Sequence, residues 1–437
     1  MVTEKSKETL KRLDNGSYQN TRVVNLGDVP FSARDILVKA PLVSRLNCYY
    51  VGGTGMGKTQ LAHDLMGYLS DSSCYALGRP DFEPSELMKT IDFDILRRLQ
   101  SGEKVPKGEL EKLTDNVSKC FFYVDELNRC PPIVQNYFFD FFDGKLVHKG
   151  RIINLGREGY SIGFASGNLG NGQYTGTSDS DRALKDRMHM ILGIDSNLFA
   201  PTPYDIFRIQ KKEVRASMPE EKAGFTSDII NMNREFLERS NPLLFPLLRV
   251  YFVHGLNYLE NVRGHSKRDI PAWFHANVEG LRQDTDEGLI YPLSIRAALS
   301  AEALASALQF IAEAKDIEVQ NPVKLYLDSL KLTVPFSGVL HPIFVDQKHN
   351  GDVYSAFEEA ITFSRELILR KQSKLEEAVV LAEAGVIDTA LLKDIAPEEG
   401  RFNSIKEAIE SHANERKNSL TEEGLKLKDI IKQVQEA

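Results

Sequence analysis

The sequence predicts an α/β fold in which a parallel β-sheet is flanked by helices and followed by helical segments. Three observations support this fold class. Strand-like and helix-like segments alternate from about residue 30 to about residue 195, which is typical of a doubly wound sheet. A glycine-rich loop and an acidic strand lie within that region. Strand signals fade after about residue 200, where apolar residues recur at helical spacing.

The glycine-rich loop is the most informative segment. Residues 52–59 read GGTGMGKT and match the phosphate-loop pattern GxxxxGK[ST] in full, between a strand-like run at 46–51 and a helix-like run at 60–66. In such a loop backbone N–H groups turn toward one point, and Lys58 and the helix N-terminus add positive charge. Thr59 is placed to give its hydroxyl to Mg²⁺. The segment therefore predicts nucleotide binding by Gly52, Gly53, Thr54, Gly55, Met56, Gly57, Lys58, Thr59 and Gln60.

A short acidic strand supplies the second part of the predicted site. Residues 120–124 read CFFYV, an apolar run suited to a central strand buried on both faces, and Asp125 and Glu126 follow it. Open α/β sheets bind ligands at the carboxyl ends of their strands, so both carboxylates should lie near the loop. We expect Asp125 to hold the metal ion and Glu126 to polarise the attacking water. An isolated Asp-Glu pair more often begins a surface loop, but its position after this strand favours the catalytic interpretation.

Composition limits the class of protein. The chain has 437 residues, of which 42% are hydrophobic and 27% charged, enough for two or three globular domains. Its net charge of −8 gives no general signal for nucleic acid or an anionic membrane. Without a long apolar run or an apolar signal segment, the expectation is a cytoplasmic protein that does not engage a membrane. The four cysteines form no CxxC pair and are expected to be buried thiols: Cys48, Cys74, Cys120 and Cys130.

Four segments are expected along the chain. They are an N-terminal arm at 1–29, a nucleotide-binding α/β core at 30–198, a helical lid at 199–335 and a C-terminal helical region at 336–437. The first 25 residues are polar and are expected to be flexible or to form a short arm. Apolar periodicity predicts helices at 297–314, at 355–384 and near 427–434. Three prolines and a polar loop at 346–352 favour a boundary near 335–352.

Three stretches together resemble the MoxR family of AAA+ ATPases. DELNRCPPIVQ at 125–135 resembles the family's acidic-strand pattern D-E-[IL]-N-R-x-x-P-x-x-Q, and RPDFEPSEL at 79–87 resembles its segment D-x-x-P-S-[DE]. A basic hairpin at 145–151 and SIGFASGN at 161–168 are similar to the family's hairpin and sensor strand. The resemblance covers roughly residues 45–300 and implies a P-loop AAA+ core followed by a helical lid. The last hundred or so residues carry no such resemblance, and their apolar periodicity predicts the additional helical C-terminal region.

The resemblance also implies roles for single residues. Asn168 would orient the attacking water or contact the γ-phosphate, the alternative being a turn residue. Arg187, in a segment resembling the family's L-D-R-F, would reach into a neighbouring subunit's site as an arginine finger. Arg182 is a rival for that role, and Met188 stands where the family has Phe. Arg296, at the start of the Ala-rich helix, would contact the γ-phosphate when the lid closes.

Two charged segments leave alternatives open. The insert at 90–119 is expected to be helical at 95–99 and 108–113, and is either a client-contacting insert or a surface elaboration. The hairpin at 145–151 carries Lys145, His148, Lys149 and Arg151, which suit either nucleic-acid phosphates in a ring pore or an exposed turn. It lacks the interleaved aromatic residues of a single-strand stacking surface.

The resemblance implies a Mg²⁺-dependent ATPase that assembles as a homo-oligomeric ring, expected to be a hexamer, with ATP between subunits. Proteins of this family are chaperone-like and remodel or assemble a client protein complex, often with a partner that bears a von Willebrand A domain. The alternative is a nucleic-acid-directed motor, helicase-like or packaging, on the same core. A nucleotide-gated scaffold with slow turnover is disfavoured because Lys58 and Glu126 are both present.

Overall fold

The computed structural model describes residues 2–81, 85–91, 93–100, 111–135, 138–168, 185, 187–209, 225–239, 242–262, 266–276, 279–397 and 400–436. The chain divides into two compact units, Met1–Ser240 with Ala303–Gln320, and Asn241–Glu302 with Asn321–Ala437. This division differs from the segments expected from the sequence, whose limits at 29, 198 and 335 stay predictions.

The first unit contains every strand of the described residues. They are β1 (Val23–Leu26), β2 (Val29–Ser32), β3 (Cys48–Val51), β4 (Ser73–Leu77), β5 (Lys89–Ile91), β6 (Glu111–Leu113), β7 (Phe121–Asp125), β8 (Lys145–His148), β9 (Arg151–Asn154), β10 (Ile162–Gly167) and β11 (Met190–Gly193). Its α-helices are Glu4–Arg12, Ala40–Ser44, Lys58–Tyr68, Ser85–Met88, Phe93–Gln100, Pro132–Gln135, Phe138–Phe142, Pro203–Ile209 and Phe225–Leu237, and a π-helix spans Asp35–Lys39. Short 3₁₀ turns lie at Ser70–Ser72, Asp115–Ser118 and Leu127–Arg129.

A five-stranded parallel sheet forms the centre of this unit, with the strands in the order β11-β3-β10-β7-β4. Every residue of β3, β7, β10 and β11 is buried, as expected for a sheet that helices cover on both faces. Phe164 of β10 packs edge-on against Tyr50 and Phe121 of the neighbouring strands. The predicted α/β class is confirmed, and the carboxyl ends of β3, β7 and β10 meet at one edge.

The N-terminal segment is more ordered than the sequence indicates. Residues expected to be flexible form a helix at Glu4–Arg12, whose N-terminus is capped by the Thr3 hydroxyl. Leu10 and Leu13 lie three residues apart and are both buried, so a narrow apolar stripe holds an otherwise polar helix. The expectation of a flexible segment is therefore wrong for these residues.

The insert at 90–119 also differs from its prediction. The helix Phe93–Gln100 contains the expected helical stretch at 95–99, but residues 111–113 form strand β6, which pairs antiparallel with β5. Residues 101–110 lie outside the described part of the chain. Strands of three residues carry too short a pattern to be predicted from periodicity. The hairpin predicted at 145–151 is present as the antiparallel pair β8–β9.

The described residues of the second unit form helices joined by loops, with two isolated β-bridges. Its α-helices are Leu244–Val253, Asp286–Leu289, Pro322–Thr333, Pro342–His349, Val353–Glu383, Thr389–Ile395 and Asn403–Glu436, with 3₁₀ turns at Gly255–Asn257, Lys267–Asp269 and Trp273–His275. The helix Ile295–Ala314 has residues in both units. Among the described residues it is the one helix that is long and apolar enough to cross a membrane. Within the protein, 72% of its most apolar stretch is buried.

A buried ionic cluster lies in the core of the second unit. Nη1 of Arg401 is 2.5 Å from Asp286 Oδ2, and its Nη2 is 3.1 Å from Glu287 Oε1. Lys267 is fully buried beside them and donates hydrogen bonds to the main-chain carbonyls of Asp286 and Ile290. Burial lowers the pKa of Lys267 to about 7.

Candidate nucleotide-binding site

The phosphate loop, residues 52–59, connects β3 to the helix Lys58–Tyr68. Gly55 and Gly57 have φ of +81° and +88°, a backbone conformation that side chains disfavour, so the glycines allow the turn. The ammonium of Lys58 donates to the carbonyls of Gly52 and Gly53 at 2.7 and 2.8 Å. Burial lowers the pKa of Lys58 below its ordinary value, and neighbouring carboxylates oppose that shift.

Asp125 ends β7 with its carboxylate held from several sides. Its Oδ1 accepts hydrogen bonds from the Tyr123 hydroxyl at 2.9 Å and from the Ser166 hydroxyl. Its Oδ2 accepts a longer bond, 3.3 Å, from the Thr59 hydroxyl of the phosphate loop. The structure thus brings the predicted metal-binding pair, Thr59 and Asp125, into direct contact at the carboxyl edge of the sheet.

Glu126 follows Asp125 in a strained conformation. Its φ of +54° and ψ of +42° place a bulky residue in the left-handed region, a feature that occurs at functional sites. Its N–H donates to the Ser166 hydroxyl at 3.2 Å, and its carboxylate pairs with Arg129 at 2.9 Å. Its carbonyl group packs directly against the Cα of Gly78, which has no side chain to obstruct it.

Asn168 lies immediately after β10, beside the acidic strand. Its main chain is bound by Asn128, whose Nδ2 donates to the Asn168 carbonyl at 2.7 Å. Its side-chain Oδ1 is buried and has no hydrogen-bond donor among the described residues. A buried carbonyl oxygen without a donor costs free energy, so this oxygen is available to a water molecule or another donor in the site. The water-orienting role of Asn168 and the alternative of a turn residue both stay predictions.

The three predicted arginines occupy different places. Arg187 lies before β11, where its Nε donates to Asp143 at 3.1 Å. Because β11 runs parallel to β3, with Met190 opposite Cys48, Arg187 is at the amino edge of the sheet and the phosphate loop is at the carboxyl edge. A four-residue strand separates these edges by about 13 Å. Arg182 lies outside the described residues. Arg296 is in the first turn of Ile295–Ala314, in the second unit, and its role stays a prediction.

Several residues near the site were missed by the sequence analysis. The ring of Tyr18, in the N-terminal segment, packs close to the phosphate loop: a Cβ added to Gly57 would lie 3.3 Å from it. In the same segment, the Ser17 hydroxyl accepts a hydrogen bond from the Gln60 amide at 2.7 Å. Ser166 bridges Asp125 and Glu126, as described above. The only sequence signal for Ser166 is a polar side chain inside a buried strand, which usually has a bonding partner. The contacts of Tyr18 and Gly78 depend on tertiary structure and leave no local signal.

No group of three or more His, Cys, Asp or Glu side chains in the described residues could hold a metal ion by itself. Mg²⁺ in nucleotide sites is bound by one or two protein oxygens together with phosphate oxygens and water. Thr59 and Asp125 supply such a pair, so the residues present fit this ion. All four cysteines are free and buried, as expected.

Comparisons with known proteins agree with this geometry. Residues 49–188 match the family described as AAA domain (dynein-related subfamily). The fold is similar to the crystal structure of a proposed ATPase from Cytophaga hutchinsonii, with a TM-score of 0.53 and 13% sequence identity, over 82% of this chain and 96% of that chain. No curated protein matches the chain. The family match covers the phosphate loop and the acidic strand, so the chain contains the core of an AAA+ P-loop ATPase.

Proposed function

We propose that this AAA+ ATPase is of the MoxR type and acts as a homo-oligomeric ring, a hexamer, that hydrolyses Mg-ATP between its subunits to remodel or assemble a client protein complex. One observation carries the proposal. Lys58, Asp125, Glu126 and Asn168 lie at the carboxyl edge of the sheet, whereas Arg187 lies before β11 at the opposite edge. Because Arg187 lies across the sheet from the phosphate loop of its own chain, it would act as a finger in the site of a neighbouring subunit.

The groups at the carboxyl edge have distinct tasks. The loop amides and Lys58 bind the phosphates, and Lys58 leaves the carbonyls of its own loop to do so. Thr59 and Asp125 hold Mg²⁺, which neutralises charge on the phosphate oxygens when it is bound. Glu126 accepts a proton from the attacking water, and Asn168 Oδ1 accepts a hydrogen bond that orients this water.

Arg187 acts in the neighbouring subunit. Its guanidinium is partly exposed and ion-paired with Asp143, so a nucleotide phosphate of the neighbouring subunit would compete with that carboxylate for it. In the ring it stabilises the charge that develops on the transferred phosphoryl group, an effect worth about 10³-fold or more in rate.

The exposed hairpin supports a protein client. Val147 and Ile152 are opposite each other on β8 and β9, and 58% and 70% of their surfaces are exposed. Exposed apolar pairs of this kind occur at protein contacts, whereas phosphate binding requires only the basic side chains around them. The MoxR resemblance supports a partner with a von Willebrand A domain.

A complementation experiment tests the shared site. Arg187→Ala and Lys58→Ala should each lose ATP turnover, and mixing them should restore part of it, because a Lys58→Ala subunit still offers Arg187 to an intact phosphate loop. Arg157→Ala is the matched control, since Arg157 is also exposed and ion-paired within its own chain, with Asp71. Unchanged turnover by Arg187→Ala alone would show that this residue is not the finger.

Turnover with and without DNA separates the two motor hypotheses. The MoxR-type proposal predicts that DNA leaves the rate of phosphate release unchanged. If DNA raises the rate, and Lys149→Ala with Arg151→Ala removes the increase, a nucleic-acid-directed motor replaces the proposal.

A further inference from the structure

Asp195 lies in the turn after the edge strand β11, directly beside the phosphate loop. Its Oδ2 accepts a hydrogen bond from the N–H of Gly53 at 2.7 Å. A Cβ on Gly52 would lie 3.0 Å from Asp195 Cγ, so the carboxylate is packed against the first two residues of the loop. The side chain is otherwise exposed, and its position therefore depends on this contact with the loop rather than on burial.

Lys58 bonds the peptide group between Gly52 and Gly53 from its other side, and also bonds the next peptide group of the loop. Its ammonium donates to the carbonyls of Gly52 and Gly53, while Asp195 accepts from the N–H of Gly53. An ammonium has three N–H groups, and two of those of Lys58 are directed at the carbonyls of its own loop. Burial lowers the pKa of Lys58, and the negative charge of Asp195 opposes this shift.

We propose that Asp195 is a positioning residue that stabilises the phosphate loop with Lys58 turned back onto it, and thereby weakens nucleotide binding and speeds nucleotide release. The inference rests on nucleotide binding at this loop, which is part of the proposed function. When a nucleotide binds, Lys58 turns to the phosphates and no longer offsets the charge of Asp195. The carboxylate then faces an anion with several negative charges at short range, and this repulsion acts on the bound state alone.

The expected effect is moderate because Asp195 is exposed. Water and salt screen exposed charges, so we expect removal of this carboxylate charge to tighten binding by about five- to tenfold at low salt. The gain should shrink at an ionic strength of about 1 M, where the screening length falls to about 3 Å. If Asp195 only supported the loop and had no electrostatic role, its substitution should weaken nucleotide binding, and the difference from the parent should not depend on salt.

The test measures binding and release of fluorescent ATP and ADP analogues by chains that carry Glu126→Gln, so that hydrolysis does not interfere. Asp195→Asn removes the charge and keeps an oxygen for the N–H of Gly53, Asp195→Glu keeps the charge, and Asp195→Ala removes both. Glu8→Gln is the matched control, because Glu8 is an exposed carboxylate on the N-terminal helix.

Our proposal predicts tighter binding and slower ADP release for Asp195→Asn than for the parent, with a difference that decreases as salt is added. Asp195→Glu and Glu8→Gln should bind like the parent. Equal or weaker binding by both Asp195→Asn and Asp195→Ala overturns the role of Asp195, even though the site binds nucleotide. A parent chain that binds neither analogue overturns the proposed function itself, and the two failures are therefore distinct.

Discussion

Gly78 is the position at which one added methyl group should disturb Glu126 most directly. Gly78 follows strand β4, and its N–H donates to the Asp125 carbonyl at 2.7 Å. A Cβ at this residue would lie 2.8 Å from the carbonyl carbon of Glu126, closer still to its oxygen and 3.0 Å from the Asp125 oxygen. All three atoms belong to the main chain, so no side-chain rotation can relieve the contact.

The size of the effect follows from these distances. Carbon atoms pack at about 3.5–4.0 Å, so Gly78→Ala requires the backbone at Glu126 to move by about 1 Å. A displacement of about 1 Å at a catalytic group can cost about 10²-fold in rate. Overpacking should also reduce the free energy of unfolding by about 1–3 kcal/mol. Strands β7 and β10 separate β4 from β3, which leads into the phosphate loop, so nucleotide affinity should change much less than turnover.

Phosphate release at saturating ATP, nucleotide titration and thermal unfolding separate these effects. Gly400→Ala is the matched control, because a Cβ there has open space and the residue has no positive φ. We expect Gly78→Ala to lose kcat while it keeps most of its nucleotide affinity. Wild-type kcat in a destabilised Gly78→Ala chain would refute the inference that Gly78 positions Glu126.

Two further predictions concern buried groups. Ser166→Ala removes a hydroxyl that bonds both Asp125 and the N–H of Glu126, so we expect a loss of about 1–3 kcal/mol in stability and a higher Mg²⁺ requirement for turnover. The control is Ser161→Ala, because the buried Oγ of Ser161 has no hydrogen-bond partner among the described residues. Equal behaviour of the two variants would contradict the role of Ser166. In the folded protein the pKa of Lys267 is about 7, below its ordinary value of about 10.4. Between these two values the unfolded state binds more protons than the folded state. The free energy of unfolding of the wild type should therefore increase as the pH rises above 7. Lys267→Met should lose this rise in thermal unfolding measured across that range, and an identical pH dependence in both chains would contradict burial of the ammonium.

The parts of the site that were predictable depend on short sequence separations. The phosphate loop, with Lys58 and Thr59, is defined by the spacing of eight consecutive residues, and the acidic strand by an apolar run that ends in Asp125 and Glu126. Parallel strands then bring these segments together, since the carboxyl ends of β3, β7 and β10 share one edge. Fold class and site location both follow from such local patterns.

The remaining contacts depend on how distant segments approach each other. Asp195 lies 142 residues from Gly53, and neither residue has a pattern that indicates their hydrogen bond. Gly78 touches Glu126 only because β4 and β7 are neighbours in the sheet. The helix Glu4–Arg12 is held by a few buried side chains, too few to distinguish it from a flexible polar segment in the sequence.

The mass of Glu126→Gln in solution tests the central claim, a nucleotide site shared between subunits, most directly. Light scattering should be recorded with Mg-ATP and without nucleotide, together with phosphate release by the wild type. We predict that Mg-ATP converts the variant to a ring of about six subunits, while only the wild type hydrolyses ATP. A protein that stays monomeric with Mg-ATP, and whose wild type hydrolyses at a rate independent of protein concentration, would contradict the shared site.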